Sequence, residues 1–418
     1  MSTAQNSCDF LIAGGGAAGM AAAVMAGREG AKVVLAAGRE RCGRKLRITG
    51  KGRCNVTNQC PPQEFLKNIV TNARFMKSAV YRFTPEDAMA FFEDLGVPLK
   101  TERGNRVFPV SDSAADVVDV LLRGMDRAGV RIVHQPVETL LVEDGRVLGV
   151  RTSAGEIIHS PRVLLATGGL SYPATGSTGD GYRLARECGH GIVPAAASLV
   201  PLEAGPDCEA LQGLSLKNVQ LSLYEDNRRI FNEQGEMLFT HFGVSGPLVL
   251  SASVFCRSRT MNYRLEIDLK PALTQEKLDE RILRDFAENK NRCFRNSLDA
   301  LLPQKMIPVI IARSQIDPDE RVNSITREQR LRLGGCIKHF TLDVYGPRPV
   351  EEAIITAGGV DVKEINPRSM ESRLVSGLYF AGEIMDVDAY TGGFNLQIAW
   401  SSAYCAAHAV LEDLESEE

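Results

Sequence analysis

The chain of 418 residues contains no apolar run near the roughly 18 residues that a membrane-spanning helix needs, so nothing in it reads as a transmembrane segment. A strong charge of either sign is also missing. The net charge of −4 gives no general attraction to nucleic acid or to an acidic membrane surface. The expected partner is a small-molecule substrate, with no nucleic acid and no membrane. The opening residues MSTAQNSCDF hold neither a basic segment nor a long apolar stretch, so no signal peptide is expected and the expected location is cytoplasmic. Ten cysteines are present, at 8, 42, 54, 60, 188, 208, 256, 293, 336 and 405, yet no two form C-x-x-C. Scattered thiols suit a reducing compartment, and without that spacing no metal site is expected. Cys54 and Cys60 are spaced C-x5-C ahead of Pro61-Pro62 and read as buried or incidental thiols rather than a redox pair.

What is present is organised around Asp9–Gly19, DFLIAGGGAAG. Phe10–Ala13 reads as a short buried strand and Met20–Gly27 as an Ala-rich helix. Gly14, Gly16 and Gly19 supply G-x-G-x-x-G between them. The first glycine permits a tight turn, the second lets backbone approach a pyrophosphate, and the third lets helix pack on strand. A second strand at Lys32–Ala36 completes the context that a bare glycine motif lacks. In such a unit an acid ends the second strand and binds the adenosine ribose. Spacing puts that position at Ala37, which is not acidic; Glu40 lies three residues on and could reach back.

A basic, glycine-rich loop follows, with seven Lys or Arg between 39 and 53 and glycines at 38, 43, 50 and 52. A charge run is usually a solvated surface. Here the interleaved glycines, beside the phosphate turn, favour a backbone that wraps a cofactor while Arg44 and Lys45 neutralise phosphate, with Arg53 a further cofactor-binding candidate.

Further on, Phe65–Leu95 reads as mostly helical, Ala114–Ala128 as an amphipathic helix, and Val137–Val142, Arg146–Thr152 and Ile157–His159 as an antiparallel meander. A buried strand over Arg162–Ala166 runs into Thr167-Gly168-Gly169, a second place where backbone comes close to a dinucleotide at Ala166, Thr167 and Gly168. Ser177–Gly181 caps a helix over Tyr182–Cys188, and His190 after it reads as a helix-end residue before a proton donor. From 192 the pattern changes to short strands, with helices between 270 and 333 and a capping box at Thr326–Gln329. The division expected is a nucleotide-binding domain in two parts, 1–191 and 350–418. An inserted barrel-like β domain covers 192–269 and 334–349, with a helical subdomain over 270–333 nested in it. His241 is the most suggestive polar residue of the insert, weighed against an ordinary turn residue. At the far end a last strand runs into Ala381-Gly382-Glu383, and Gly392-Gly393 opens a helix over Asn395–Leu411. The positive end of that helix suits the anionic edge of a flavin, and Glu383 suits ribityl hydroxyls. Two strand–glycine–helix units at opposite ends of the chain point to FAD rather than free NAD.

The segment GRKLRITGKGRCNVTN resembles the signature of the YhiN/BaiN-type flavoproteins, a family of NAD(P)/FAD-dependent oxidoreductases. Blocks 9–58, 163–202, 236–253 and 341–403 agree with it in order. The resemblance implies a Rossmann-like, glutathione-reductase-type α/β domain binding FAD. It implies FAD contacts at Ala17, Ala18, Arg44, Lys45, Val137, Glu383, Asn395 and Leu396, with Ala37 standing where the family usually has an acid. The function it implies is NAD(P)H-linked reduction of an unsaturated organic substrate. No second complete G-x-G-x-x-G is present, so NAD(P)H would be a transient visitor to the flavin. An amine oxidase using O2 and a flavin-binding sensor without turnover are the alternatives, and no catalytic side chain beyond the weak candidate His241 is legible.

Overall fold

The computed structural model describes residues 6–38, 41–257 and 261–417. These fall into two compact units, 1–198 with 350–418, and 199–349.

In the first unit the apolar stretches Phe10–Ala13, Val33–Ala36, Arg131–Val133, Val163–Leu165 and Leu378–Phe380 form one parallel sheet. Its order is 378–380, 163–165, 10–13, 33–36, 131–133. Its central strands are apolar throughout because both of their faces are covered. Helix Ala17–Arg28 is so rich in alanine and glycine that it packs closely on its surroundings, with nine of its twelve residues buried. The long carboxy-terminal helix Phe394–Glu417 lies against it. Three smaller helices, Pro62–Lys67, Ala73–Arg82 and Pro85–Asp94, occupy the region expected to be helical; Thr84 caps the last of them in a reciprocal box with Asp87. The meander forms as an antiparallel sheet of 137–143, 146–152 and 157–159. Ile192–Ser198, on which the insert was expected to begin, pairs antiparallel with Ile355–Val360 inside the first unit.

The second unit is a closed six-stranded antiparallel barrel. Strands follow in the order 202–204, 243–245, 228–240, 215–225, 263–268 and 340–347, the last pairing with the first. Helices Gln275–Glu288, Met306–Ser314 and Arg327–Lys338 share the barrel's apolar cluster through Leu278, Ile310 and Leu333. No helix among the described residues is long and apolar enough to cross a membrane.

Two buried polar contacts show how the first unit is locked. Trp400 is fully buried; its Nε1–H donates to the Val56 carbonyl at 2.9 Å and its ring meets Phe92 edge-on at 5.1 Å. His190 follows helix Asp180–Glu187 and is also buried, with Nδ1 3.1 Å from Glu364 Oε2 and Nε2 2.9 Å from Ser372 Oγ. Its ring packs edge-on against Phe380. Burial lowers the His190 pKa, and the nearby Glu364 carboxylate opposes this without overcoming it. The fold therefore prefers the neutral imidazole.

Replacing Trp400 with Ala should lower the unfolding free energy by about 3–5 kcal/mol, because a large cavity opens. Trp400→Phe, which keeps most of the packing and strands the Val56 carbonyl, should cost about 1–3 kcal/mol; denaturant titration measures both. For His190 the contribution is complete above the ordinary imidazole pKa of about 6.5 and is lost as pH falls towards the lower folded value. Stability should drop more steeply between about pH 7 and pH 5 than in His190→Gln, and parallel slopes would show that another group carries the effect.

Candidate functional site

The glycine turn closes as its sequence requires. Gly14 donates to the Ala36 carbonyl at 2.9 Å and has φ +119°; a side chain there would overlap the Ala166 carbonyl. At Gly19 a Cβ would overlap the Gly14 carbonyl, which is the close helix–strand packing expected of the third glycine. Gly16 is different. It sits at the amino end of helix Ala17–Arg28, and the nearest atom to a Cβ there is the Ala166 carbonyl oxygen at 3.9 Å. Among the described residues no side chain caps this helix and no acid lies in its first turn, so its leading amides have no side-chain partner. That arrangement fits a pyrophosphate.

The basic loop docks on this turn. Gly43 donates its N–H to the Gly15 carbonyl at 2.8 Å, and with φ +71° it starts helix Arg44–Ile48 beside the glycines. Arg44 is exposed, whereas Lys45 turns inward. The Lys45 ammonium lies 2.5 Å from Glu383 Oε2 and 2.6 Å from Ser171 Oγ. Glu383 Oε1 in turn accepts from Ser171 Oγ at 2.9 Å and from the Thr356 backbone N–H at 2.9 Å. Four segments spread over the first unit thus meet at one carboxylate. Gly169 is required beside it, since a Cβ there would overlap the Thr356 side chain, whose Cβ would stand 2.6 Å away.

The carboxy-terminal turn closes onto the amino-terminal helix. Gly382, at φ +75°, leaves room for Ala18: a Cβ would come within 3.1 Å of the Ala18 methyl. Gly393 lies against the Thr57 backbone, and Asn58 Nδ2 donates to the Gly392 carbonyl at 3.0 Å. Thr57 Oγ1 donates to Gln397 Oε1 at 2.6 Å. The NVTN stretch of the basic loop therefore braces the start of helix Phe394–Glu417. Gly14, Gly16, Ala17, Ala18, Gly19, Ala166 and Gly382 are brought together, Lys45 meets Glu383, and Gly393 rests on the Thr57 backbone of the same basic loop.

Several expected residues have other employment. Arg53 is taken up by Glu102 and Asp112 and lies over the Phe108 ring at 4.0 Å. Its charge is neutralised inside the chain rather than offered to phosphate. The Asn395 side chain clamps the preceding loop through Ala389 and Tyr390. Ala37 is buried where spacing put it, its methyl 3.0 Å from a Cβ on Gly15, and offers no carboxylate. Glu40 lies outside the described residues. Val137 opens the meander next to Pro136, which faces Gly38 at the end of the second strand. Thr167 Oγ1 is buried without a hydrogen-bond partner among the described residues, beside Gly181 and Gly168. His190 belongs to the Glu364–Ser372 contact described above. His241 is exposed in a turn of the second unit, edge-on to Phe242 at 5.0 Å. Burial pushes the Cys54 thiol up to about 12 and the Cys60 thiol up to about 11, values at which neither ionises readily. Ser171 and Thr356 carry no motif of their own, and only their contacts with Glu383 reveal them.

Known proteins share this layout. Residues 8–409 match the family described as HI0933-like protein Rossmann domain. The ribosomal RNA dihydrouridine synthase of Escherichia coli (strain K12) is 32% identical over 410 residues, covering 96% of this chain and 98% of the relative. The 3-dehydro-bile acid delta(4,6)-reductase of Clostridium scindens is 29% identical over 407 residues, with the same coverage of both chains. Among solved structures, the open conformation of a flavocytochrome c3 fumarate reductase gives a TM-score of 0.52 at 17% identity, covering 97% of this chain and 79% of that one. A 3-ketosteroid delta1-dehydrogenase from Sterolibacterium denitrificans gives 0.52 at 12% identity, covering 97% and 100%. These two establish likeness of fold. Matched along nearly its whole length, the chain belongs to the HI0933-like family of Rossmann-fold, FAD-dependent oxidoreductases.

Proposed function

We propose that this chain reduces a carbon–carbon double bond conjugated to a ring carbonyl, with NAD(P)H as the hydride source. One observation carries the reading: two relatives aligned over 96% of the chain bear names that describe adding hydrogen across such a bond. Dihydrouridine is uridine with its carbonyl-conjugated ring double bond reduced. A delta(4,6)-reductase acting on a 3-dehydro-bile acid reduces the same type of bond in a steroid ring. Net charge argued against nucleic acid, but a uridine within RNA is one of the two substrates these names contain, so it belongs in the test.

Bound FAD supplies a ring that accepts a hydride from one partner and gives it to another. The chain's part is to hold and orient. The amides at Gly16–Ala18 take the pyrophosphate, with Arg44 at the rim. Lys45 and the Glu383 carboxylate take the ribityl hydroxyls, which donate to Glu383. Backbone at Val137 lies against the adenine, and backbone at Ala166–Gly168 and at Asn395–Leu396 lines the rest. The substrate would bind over the flavin, where the first amides of helix Phe394–Glu417 would favour negative charge on the ring.

Anaerobic mixing with NADPH or NADH should bleach the flavin band at roughly 450 nm. Ribosomal RNA lacking dihydrouridine, or a 3-oxo-4,6-diene steroid, should then restore the colour; whichever does so names the substrate class. Bleaching by amines alone, with recovery only on O2, would contradict the proposal in favour of an oxidase. No bleaching by any donor would contradict it in favour of a binding protein.

Site residues have their own test in FAD affinity, measured by flavin fluorescence. Lys45→Met and Glu383→Gln should each weaken FAD about tenfold or more, ~1.4 kcal/mol per decade. Arg53→Gln should leave FAD affinity unchanged and lower stability instead. The reverse pattern would mean that the cofactor contacts are misassigned.

A further inference from the structure

The second unit contains a crevice of about 190 Å³ that the redox reading does not use. It opens where the barrel is imperfect. Strand Ser215–Glu225 pairs with 263–268 only from Gln220 onward, so Ser215–Val219 overruns its neighbour. On the other side its register against 228–240 shifts between Leu216 and Val219. Such bulges re-aim side chains and interrupt pairing. The gap is walled by Leu216, Val219, Leu269, Leu302, Pro303 and Met306, and the charged residues on it are Lys217 and Lys270.

Lys270 has no carboxylate partner among the described residues, and the reason is specific. The obvious acid, Asp268, is already committed. Its Oδ1 accepts the Lys270 backbone N–H at 2.9 Å and its Oδ2 takes the Lys338 ammonium. Lys338 is further satisfied by the Lys270 and Leu273 carbonyls. The cation nearest in effect, Arg281, is held by both oxygens of Asp285 at 2.8 Å. Elsewhere, half-buried lysines have acids: Lys45 has Glu383 and Lys100 has Asp112. Burial and the Arg281 charge push the Lys270 pKa down, as expected of an ammonium in apolar surroundings that no anion compensates.

We propose that this crevice is a binding site for a small carboxylate with a short apolar body, its charge taken by Lys270 with Lys217 at the rim and its body against Leu269, Leu302 and Met306. The size fits. A dry cavity of about 150 Å³ accommodates benzene, and this one is somewhat larger, enough for a short-chain or monocyclic acid but not for a peptide or nucleotide. The apolar walls supply burial and the unpaired ammonium supplies selection for an anion. The site is built from second-unit residues alone and stands whether or not the redox proposal is correct.

The test is calorimetric titration of the FAD-loaded full-length protein with sodium hexanoate, using hexanamide as the neutral control. Hexanoate should bind at least tenfold more tightly than hexanamide. Lys270→Met should abolish that preference and Lys270→Arg should restore most of it. Met306→Trp, which fills the crevice, should block both ligands. The flavin spectrum and unfolding midpoint of each variant report that the fold is intact. Failure of hexanoate to bind the wild type at millimolar concentration would overturn the proposal. So would equal affinity in wild type, Lys270→Met and Met306→Trp.

Discussion

The contact between Lys45 and Glu383 joins residues 338 positions apart, and the first unit's site depends on it. Both side chains are largely shielded from water, with 21% and 14% of their surfaces exposed, so neither charge could remain there alone without a penalty of several kcal/mol. Ser171 and the Thr356 N–H complete the shell of the carboxylate. The constraint is mutual. The basic loop is pinned at one end by Gly43 on the phosphate turn and at the other by Thr57 and Asn58 on the carboxy-terminal helix. Lys45, two residues after Gly43, ties the same end to Glu383. Because the loop touches both glycine turns, it works as the strap that makes two distant strand–helix units a single surface.

The two glycine-rich ends solve one steric problem in two ways. At Gly14 and Gly19 the missing side chain lets protein backbone approach protein backbone. At Gly16 a Cβ would meet only the Ala166 carbonyl oxygen, at 3.9 Å, so protein packing does not demand the glycine there. Helix Ala17–Arg28 has no capping side chain and no acid in its first turn, which would be a defect in an ordinary surface helix. An anion held at those amides removes the defect. The second unit shares none of this chemistry. It has its own apolar cluster and its own closed barrel, so its residues are free to serve a different ligand.

Local signals in the sequence were informative wherever a few adjacent residues determine structure. The strand at Phe10–Ala13, the glycine turn, the meander from 137 to 159 and the capping box at Thr326 and Gln329 are all of that kind. Signals failed where the partner is remote. Nothing near Arg53 announces that Glu102 and Asp112 will neutralise it, so it read as a cofactor-binding candidate. His190 finds its partners more than 170 residues away. Residues 228–240 carry a polar stretch, Asn232–Glu236, between two apolar ones. They form one strand whose polar stretch is mostly exposed while Phe231, Met237 and Phe239 point into the barrel. The helix expected after Ser177–Gly181 begins at Asp180 from a left-handed Gly179, with no side-chain cap. The site's glycines and Glu383 were legible, but Ser171 and Thr356, which orient that carboxylate, were not.

If both ends of the chain hold one elongated coenzyme, its adenosine and pyrophosphate matter as much as its flavin. The identity and amount of flavin released from the purified protein on denaturation test this most directly. The account predicts one FAD per chain, with no FMN. FMN in its place, or FAD far below one per chain even after reconstitution, would mean that the amino-terminal glycine turn holds nothing, and the convergence of the two ends would have no role in cofactor binding.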